Sequence, residues 1–172
     1  MARQRAQTEL AVLGALSLAP MSGYRVRAEI LSTLGHFWAE SFGQIYPTLA
    51  RLESEGFVGR DESGLYLLSD AGRARLTELL REAPTSTPPR NGVLLRLFFG
   101  RELGVDGCIE LINDLEDQVV VKLAELARIK SELDPADPDE RFALITLSAG
   151  EHNGRATLDW IAETRASLVG ER

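Results

Sequence analysis

The stretch SFGQIYPTLARLESEGFV, residues 41–58, decides how the fold is read. Ile45, Leu49 and Leu52 fall three and four positions apart, which puts them on one side of a helix, and Val58 continues the apolar line past its end. Gln44, Thr48, Arg51 and Glu55 form a second, polar line, with Tyr46, Pro47 and Ala50 beside it. Proline lacks an N–H and is tolerated in the first turn, where that group has no helical partner. Pro47 therefore places the regular start of the helix near Gly43 or Gln44. The stretch reads as a short helix that buries an aliphatic stripe and turns a polar leading edge to solvent. Gly56 suits the left-handed position that closes such a helix.

Working outward, TELAVLGALSLAP (8–20) predicts a helix from about Glu9 to Leu18, with Thr8 as N-cap and a stop at Pro20. MSGYRVRAEILSTLG (21–35) predicts a second helix that opens at Ser22 and Gly23 and carries Tyr24, Val26 and Ile30 or Leu31 at helical spacing. After Gly56 the period changes. FVGRDESGLYLLS (57–69) gives two short strands, 57–60 and 65–68, joined by an Asp-Glu-Ser-Gly turn. SDAGRARLTELLREA (69–83) returns to helix, with Ser69 as N-cap and Asp70 in the first turn, where the helix dipole favours an anion.

Three helices, a hairpin and a further helix make a winged helix-turn-helix, whose third helix enters the DNA major groove while the hairpin forms the wing. On that reading Gln44 and Thr48 face base edges, Arg51 meets guanine or phosphate, and Tyr46 donates to phosphate. The N-terminus of the helix, with unpaired N–H groups, adds to the attraction for phosphate.

The second half has no strand signal. PTSTPPRNG (84–92) is a linker by composition, so the expected organisation is a DNA-binding domain over 1–83, a linker over 84–92 and a helical domain over 93–172. GVLLRLFFG (92–100) is a short helix so apolar that burial on nearly all sides is expected. Ile112, Leu115, Val119, Leu126, Ile129 and Leu133 then trace a coiled-coil-like seam. DPADPDE (134–140) breaks it, and a last helix follows with Phe142, Ile145, Ala149, Ala156, Trp160 and Ile161 on one side. Two long helices with no third partner cannot bury both faces, so the seam and Trp160 are expected to hold a second copy of the chain. The fold class is thus mostly α: a winged helix-turn-helix followed by a coiled-coil-like dimerisation domain.

Charge supports a division of labour. The net charge is −7, but residues 1–90 carry ten arginines against ten acidic residues, and 91–172 carry nine basic against sixteen acidic. The single cysteine, Cys108, allows no intramolecular disulfide and reads as a small buried hydrophobe. With no apolar run of membrane-spanning length and no secretory leader pattern, a cytoplasmic protein is expected. No glycine-rich phosphate loop, HExxH or paired-cysteine spacing occurs, and His36 and His152 stand far apart, so no enzyme, metal or cofactor is expected. Phe37, Trp38, Phe98, Phe99 and Trp160 read as packing or dimer residues, or as the lining of a ligand cavity. His152, between Gly150 and Gly154, reads as exposed or structural, as a dimer hydrogen bond, or as an effector sensor.

LAVLGALSLAPMSGYRV (10–26), GQIYPTLARLE (43–53) and YLLSDAGRARL (66–76) resemble the DNA-binding domain of PadR-like transcriptional regulators. RNGVLLRLFFG with the helices after it is similar to the C-terminal dimerisation domain of that family's longer branch. The resemblance implies a homodimer on a pseudo-palindromic double-stranded operator, repressing transcription until a small molecule or other signal releases it. Carried over by position, it implies DNA contacts from Gln44, Tyr46, Thr48 and Arg51, with Tyr24 and Ser41 on phosphates. Family wings are commonly basic, whereas here Arg60 precedes Asp61 and Glu62. The wing is expected to contribute little beyond Arg60, with Arg3 and Arg5 compensating as a flexible arm. The rival reading is a winged-helix adaptor that binds protein.

Overall fold

The computed structural model describes residues 2–35, 38, 42–84 and 91–170. The chain divides into two compact units, Met1–Thr87 and Pro88–Arg172.

The first unit opens with α1 (Ala2–Leu18). The helix starts six residues before the expected cap. Ala, Arg and Gln in the first turns are good helix formers and carry it upstream, so Thr8 is a buried helical residue and not an N-cap. Ser22 caps α2 (Gly23–Glu29), accepting the Arg25 N–H at 3.2 Å, and the helix widens into a π-type turn over Ile30–Leu34. A 3-10 turn, Phe42–Gln44, leads into α3 (Ile45–Ser54), which makes Pro47 a first-turn residue as expected. Gly56 ends the run at φ +79°, a conformation that a side chain would strain.

Strands β1 (Val58–Arg60) and β2 (Tyr66–Leu68) pair antiparallel, with Val58 opposite Leu68 and Arg60 opposite Tyr66. Met21 and Tyr66 exchange backbone hydrogen bonds at 3.1 and 3.0 Å, which stitches the wing to the turn between α1 and α2. Ser69 caps α4 (Asp70–Arg81) by accepting the Gly72 N–H at 3.0 Å. Ile45, Leu49 and Leu52 from α3 meet Val12 and Leu13 from α1 and Val26 from α2 in a core where all six are fully buried. Each such side chain contributes about 1.5–3 kcal/mol. Trp38 packs against this core, while Phe37 and His36 lie outside the described residues.

The second unit starts at α5 (Gly92–Phe98), capped by Asn91, whose side chain accepts the Val93 and Leu94 N–H groups. A short 3-10 turn, Gly100–Glu102, precedes α6 (Gly104–Ser131), which packs antiparallel to α7 (Arg141–Gly170). Cys108 is buried, with its Sγ 3.5 Å from the Gly100 carbonyl. A Cβ on Gly154 would stand 2.6 Å from the Leu123 side chain, so glycine there makes room for Leu123 to pack onto α7. Polar pins close the hairpin: Lys130 to Glu151 at 2.8 Å, and Arg165 to Asn113 and Glu116.

Two expectations change here. Ile112 and Leu126, assigned to a dimer seam, are fully buried by the chain's own hairpin and have no surface left for a partner. Leu115, Val119, Ile129, Leu133 and Trp160 are half-buried. The apolar helix α5, expected to be enclosed, has no buried residue: Leu94, Leu95, Phe98 and Phe99 are all exposed, Phe98 by 82%. Apolar composition shows that a helix needs cover, whereas the cover itself must come from a neighbour.

Candidate nucleic-acid interface

The site is built on α3. Its core stripe occupies one side so fully that the outward face is what remains: Gln44, Tyr46, Pro47, Ala50 and Ser54 are exposed, and Arg51 is half-buried at its edge. Thr48 is the correction. It was placed on the solvent line with Gln44 and Arg51, but it is only 7% exposed and stands beside the buried stripe. The reason is angular: at 3.6 residues per turn, Thr48 lies closer to Leu52 and Ile45 than to Pro47 or Ala50 around the helix. The outward line is centred on Pro47, Ala50 and Ser54, of which Ser54 had no signal beyond its four-residue distance from Ala50.

Two sequence motifs about twenty residues apart meet at the leading turn. The Tyr46 ring lies over Gly23, where an added Cβ would stand 3.0 Å from its Cε1, so glycine after the Ser22 cap makes room for the ring. Tyr24, one residue on, is 71% exposed, and Tyr46 is 50% exposed. The segment Ser22–Tyr24 and the start of α3 thus form a continuous surface with two accessible phenols. Ser41 lies outside the described residues.

The arginines are held more tightly than the sequence suggested. Arg51 donates from Nη2 to Glu9 and from Nη1 to Glu55, both at 2.7 Å. Glu9 is buried in α1, and its other oxygen accepts Arg75 Nε at 2.8 Å, so one carboxylate ties α1, α3 and α4 together. Burial alone would raise the Glu9 pKa, but hydrogen bonds from Arg75 and Arg51 and the charges of both outweigh it and hold the carboxyl below its ordinary value. The Arg75 pKa is raised in turn, chiefly by its hydrogen bond to Glu9.

In the wing, Arg60 donates to Glu53 at 2.7 Å, bonds the Tyr66 hydroxyl and lies over the Tyr66 ring at 4.1 Å. Asp61, which was expected only to repel phosphate, builds the wing turn: its carboxylate accepts from the Ser63 hydroxyl, the Ser63 N–H and the Leu65 N–H. Those bonds, led by the one from the Ser63 side chain, lower its pKa and keep it charged. The stretch expected to be a flexible arm continues α1, whose backbone is helical from Ala2.

Comparison with known proteins identifies the family. Residues 12–78 match the profile of the transcriptional regulator PadR-like family, and residues 89–168 match that of the virulence activator alpha C-terminal region. The chain is 30% identical to the negative transcriptional regulator PadR of Bacillus subtilis over 67% of its own length and 69% of that protein's. It is 31% identical to a probable transcriptional regulator of Mycobacterium tuberculosis, covering 94% of this chain and 97% of the relative. The chain belongs to the PadR-like family. The fold agrees over both units: a PadR-like regulator from Bacillus cereus superposes with a TM-score of 0.81 at 25% identity, covering 96% of this chain and 99% of that one. Bacillus subtilis PadR has been solved with operator DNA and with p-coumaric acid, with TM-scores of 0.79 and 0.80 at 24% identity, each covering 93% of this chain.

Membership makes this PadR-like protein a DNA-binding transcriptional regulator. Among the described residues no helix is long and apolar enough to cross a membrane. His152 is exposed, and its Nδ1 lies 2.8 Å from the Ser148 carbonyl one turn earlier.

Proposed function

We propose that this PadR-like protein is a homodimeric repressor that places two α3 helices in successive major grooves of a pseudo-palindromic operator and is released by a small-molecule signal. The observation that carries the reading is the division of α3 into a fully buried aliphatic side and an outward face left exposed by the described residues. Gln44, at the N-terminal end of that face, reads a base edge through its amide. Tyr24 and Tyr46 donate to phosphates on either side, which fixes the register of the helix on the duplex. Thr48 lies too deep to share the task, and Arg51 and Arg60 are engaged within the protein.

Dimerisation falls to the apolar surface that one chain leaves open: Leu94, Leu95, Phe98 and Phe99 of the α5 segment, and Leu103. The half-buried residues of the expected seam, Leu115, Val119, Ile129, Leu133 and Trp160, would sit beside such a contact, whereas Ile112 and Leu126 hold the hairpin itself. A signal molecule releases DNA only by preferring the dimer whose helices are wrongly spaced, and its leverage equals its differential affinity for the two spacings.

A mobility-shift titration on the DNA upstream of the protein's own gene tests the proposal. Wild type should shift this duplex at concentrations that leave a random duplex unbound, and Gln44→Ala should lose about 1–3 kcal/mol of that discrimination while remaining a folded dimer. Equal losses on both duplexes would make Gln44 a phosphate contact. A folded dimer that shifts neither duplex at low salt would favour the protein-binding adaptor.

A further inference from the structure

We infer that Glu9 is a positioning residue that withholds the Arg51 guanidinium from DNA, so that the recognition helix presents an uncharged reading face. The inference deepens the DNA-binding reading of α3 and rests on it. Three observations carry it. First, both terminal nitrogens of Arg51 are occupied, Nη2 by Glu9 and Nη1 by Glu55, each at 2.7 Å. Second, Glu9 cannot follow a moving arginine. It is buried in α1, and its second oxygen is fixed by Arg75 from α4 at 2.8 Å. An Arg51 that swung toward a phosphate would leave a buried carboxylate short of one partner, which is strongly unfavourable. Third, the exposed side chains along the centre of the outward face, Pro47, Ala50 and Ser54, carry no charge, and neither do Gln44 and Tyr46 at its leading end.

The wing repeats the pattern. Glu53, also on α3, holds Arg60 at 2.7 Å, and the Tyr66 ring lies beneath the guanidinium. Both arginines that flank the reading face are thus turned to carboxylates of the protein itself. Phosphate attraction is left to cations with looser attachments, such as Arg25 on α2, which is well exposed and whose pair with Glu29 spans 3.6 Å. The consequence is a division between contacts. The charged ones lie away from the bases, and those on the bases are neutral, which limits binding to arbitrary sequence, since that binding comes almost entirely from phosphate neutralisation.

Glu9 is the controlling partner because it is itself buried, at 8% side-chain exposure, whereas Glu55 is 41% exposed and its pair with Arg51 is weak. Glu9→Gln keeps the shape, removes the charge and leaves a single acceptor oxygen to be shared by two arginines, so Arg51 becomes available to phosphate.

The test measures affinity for the upstream duplex and for a random duplex between roughly 50 and 200 mM salt, using full-length chain. Each additional phosphate contact steepens the plot of log affinity against log salt by about 0.9, so one new contact per protomer adds about two for a dimer. Arg51→Gln should leave the slope of the wild type unchanged. Glu9→Gln should steepen it by about two and raise low-salt affinity for the random duplex several-fold. The double variant should return to the wild-type slope, and Glu55→Gln should move it much less than Glu9→Gln.

A loss of about two from the slope in Arg51→Gln would overturn the inference, because Arg51 would already be a phosphate contact. A folded Glu9→Gln protein with the wild-type slope would overturn it as well. Should Glu9→Gln fail to fold, Arg51→Gln decides alone. If wild type binds no duplex at all, the DNA reading of α3 fails and the role of Glu9 with it. Sequence-selective binding with unresponsive slopes removes only the role of Glu9.

Discussion

The two units of this PadR-like protein solve the problem of burying apolar surface in different ways. The first closes its core within one chain: among the described residues, fifteen buried hydrophobic ones come from all four helices or segments around them and from both strands of the wing. The second, of similar length, buries five of its described hydrophobic residues, Cys108, Ile112, Leu126, Leu147 and Ile161, and leaves Phe98, Phe99, Leu95, Val121 and Phe142 in the open. A mixed set of short elements can wrap around a centre, whereas a two-helix hairpin is a layer with two faces and covers only one. The closed unit buries the apolar side of α3, and the open one leaves the proposed dimer surface uncovered.

The largest effect should come from opening the closed unit. Leu52→Ala removes a fully buried side chain and should destabilise that unit by about 2–5 kcal/mol, read by urea unfolding. Its transition should not depend on protein concentration. The transition of the second unit should, rising as the protein is concentrated, because association stabilises only the folded form. Two concentration-independent transitions would remove the second copy from the account of the open face.

Next in size, Phe98→Glu places a charge on the most exposed aromatic of α5 and should convert dimer to monomer in sedimentation. Operator affinity should then fall by on the order of 100-fold, since two linked half-site contacts become one. An unchanged dimer would move the interface elsewhere on the hairpin.

A smaller, pH-dependent effect belongs to Glu9. Its pKa in the fold is held below the ordinary 4.5. The stability it contributes is therefore present above that ordinary value and is lost as pH falls through the lower, folded value. Acid unfolding of wild type should show this loss in the first unit, and Glu9→Gln should flatten it; equal acid profiles would show that the clamp stabilises nothing. Last, Ser69→Ala removes the cap of α4 and should cost about 1 kcal/mol in the first unit alone. An effect on the transition of the second unit would mean that the two do not unfold independently.

Much of the first unit was legible because its signals are local. Helical spacing marked Ile45, Leu49 and Leu52, Pro47 marked the first turn of α3, and Ser22, Gly56 and Ser69 marked ends by chemistry that acts within a few residues. Thr8 misled because a capping residue is also acceptable inside a helix when the residues before it favour helix. Thr48 misled because a helix wheel gives an order of residues but not the width of the buried arc. That width is set by how closely α1 and α2 press on α3. The exposed face of α5 was misjudged for a similar reason, since hydrophobicity states a demand for cover without saying which element meets it.

The sequence by itself determined the winged helix-turn-helix, the two long helices that follow, the likeness to PadR-like regulators, and Gln44 and Tyr46 as outward residues at the start of α3. Only the tertiary structure decided where the arginines go. Glu9 and Arg51 are 42 positions apart and Glu9 and Arg75 are 66 apart, and no periodicity links them. Their meeting follows from packing α1 against α3 and α4, and a charge acts through the distance that packing creates. A guanidinium that reads from sequence as a hand held out to phosphate is, in the folded chain, held back by a buried carboxylate.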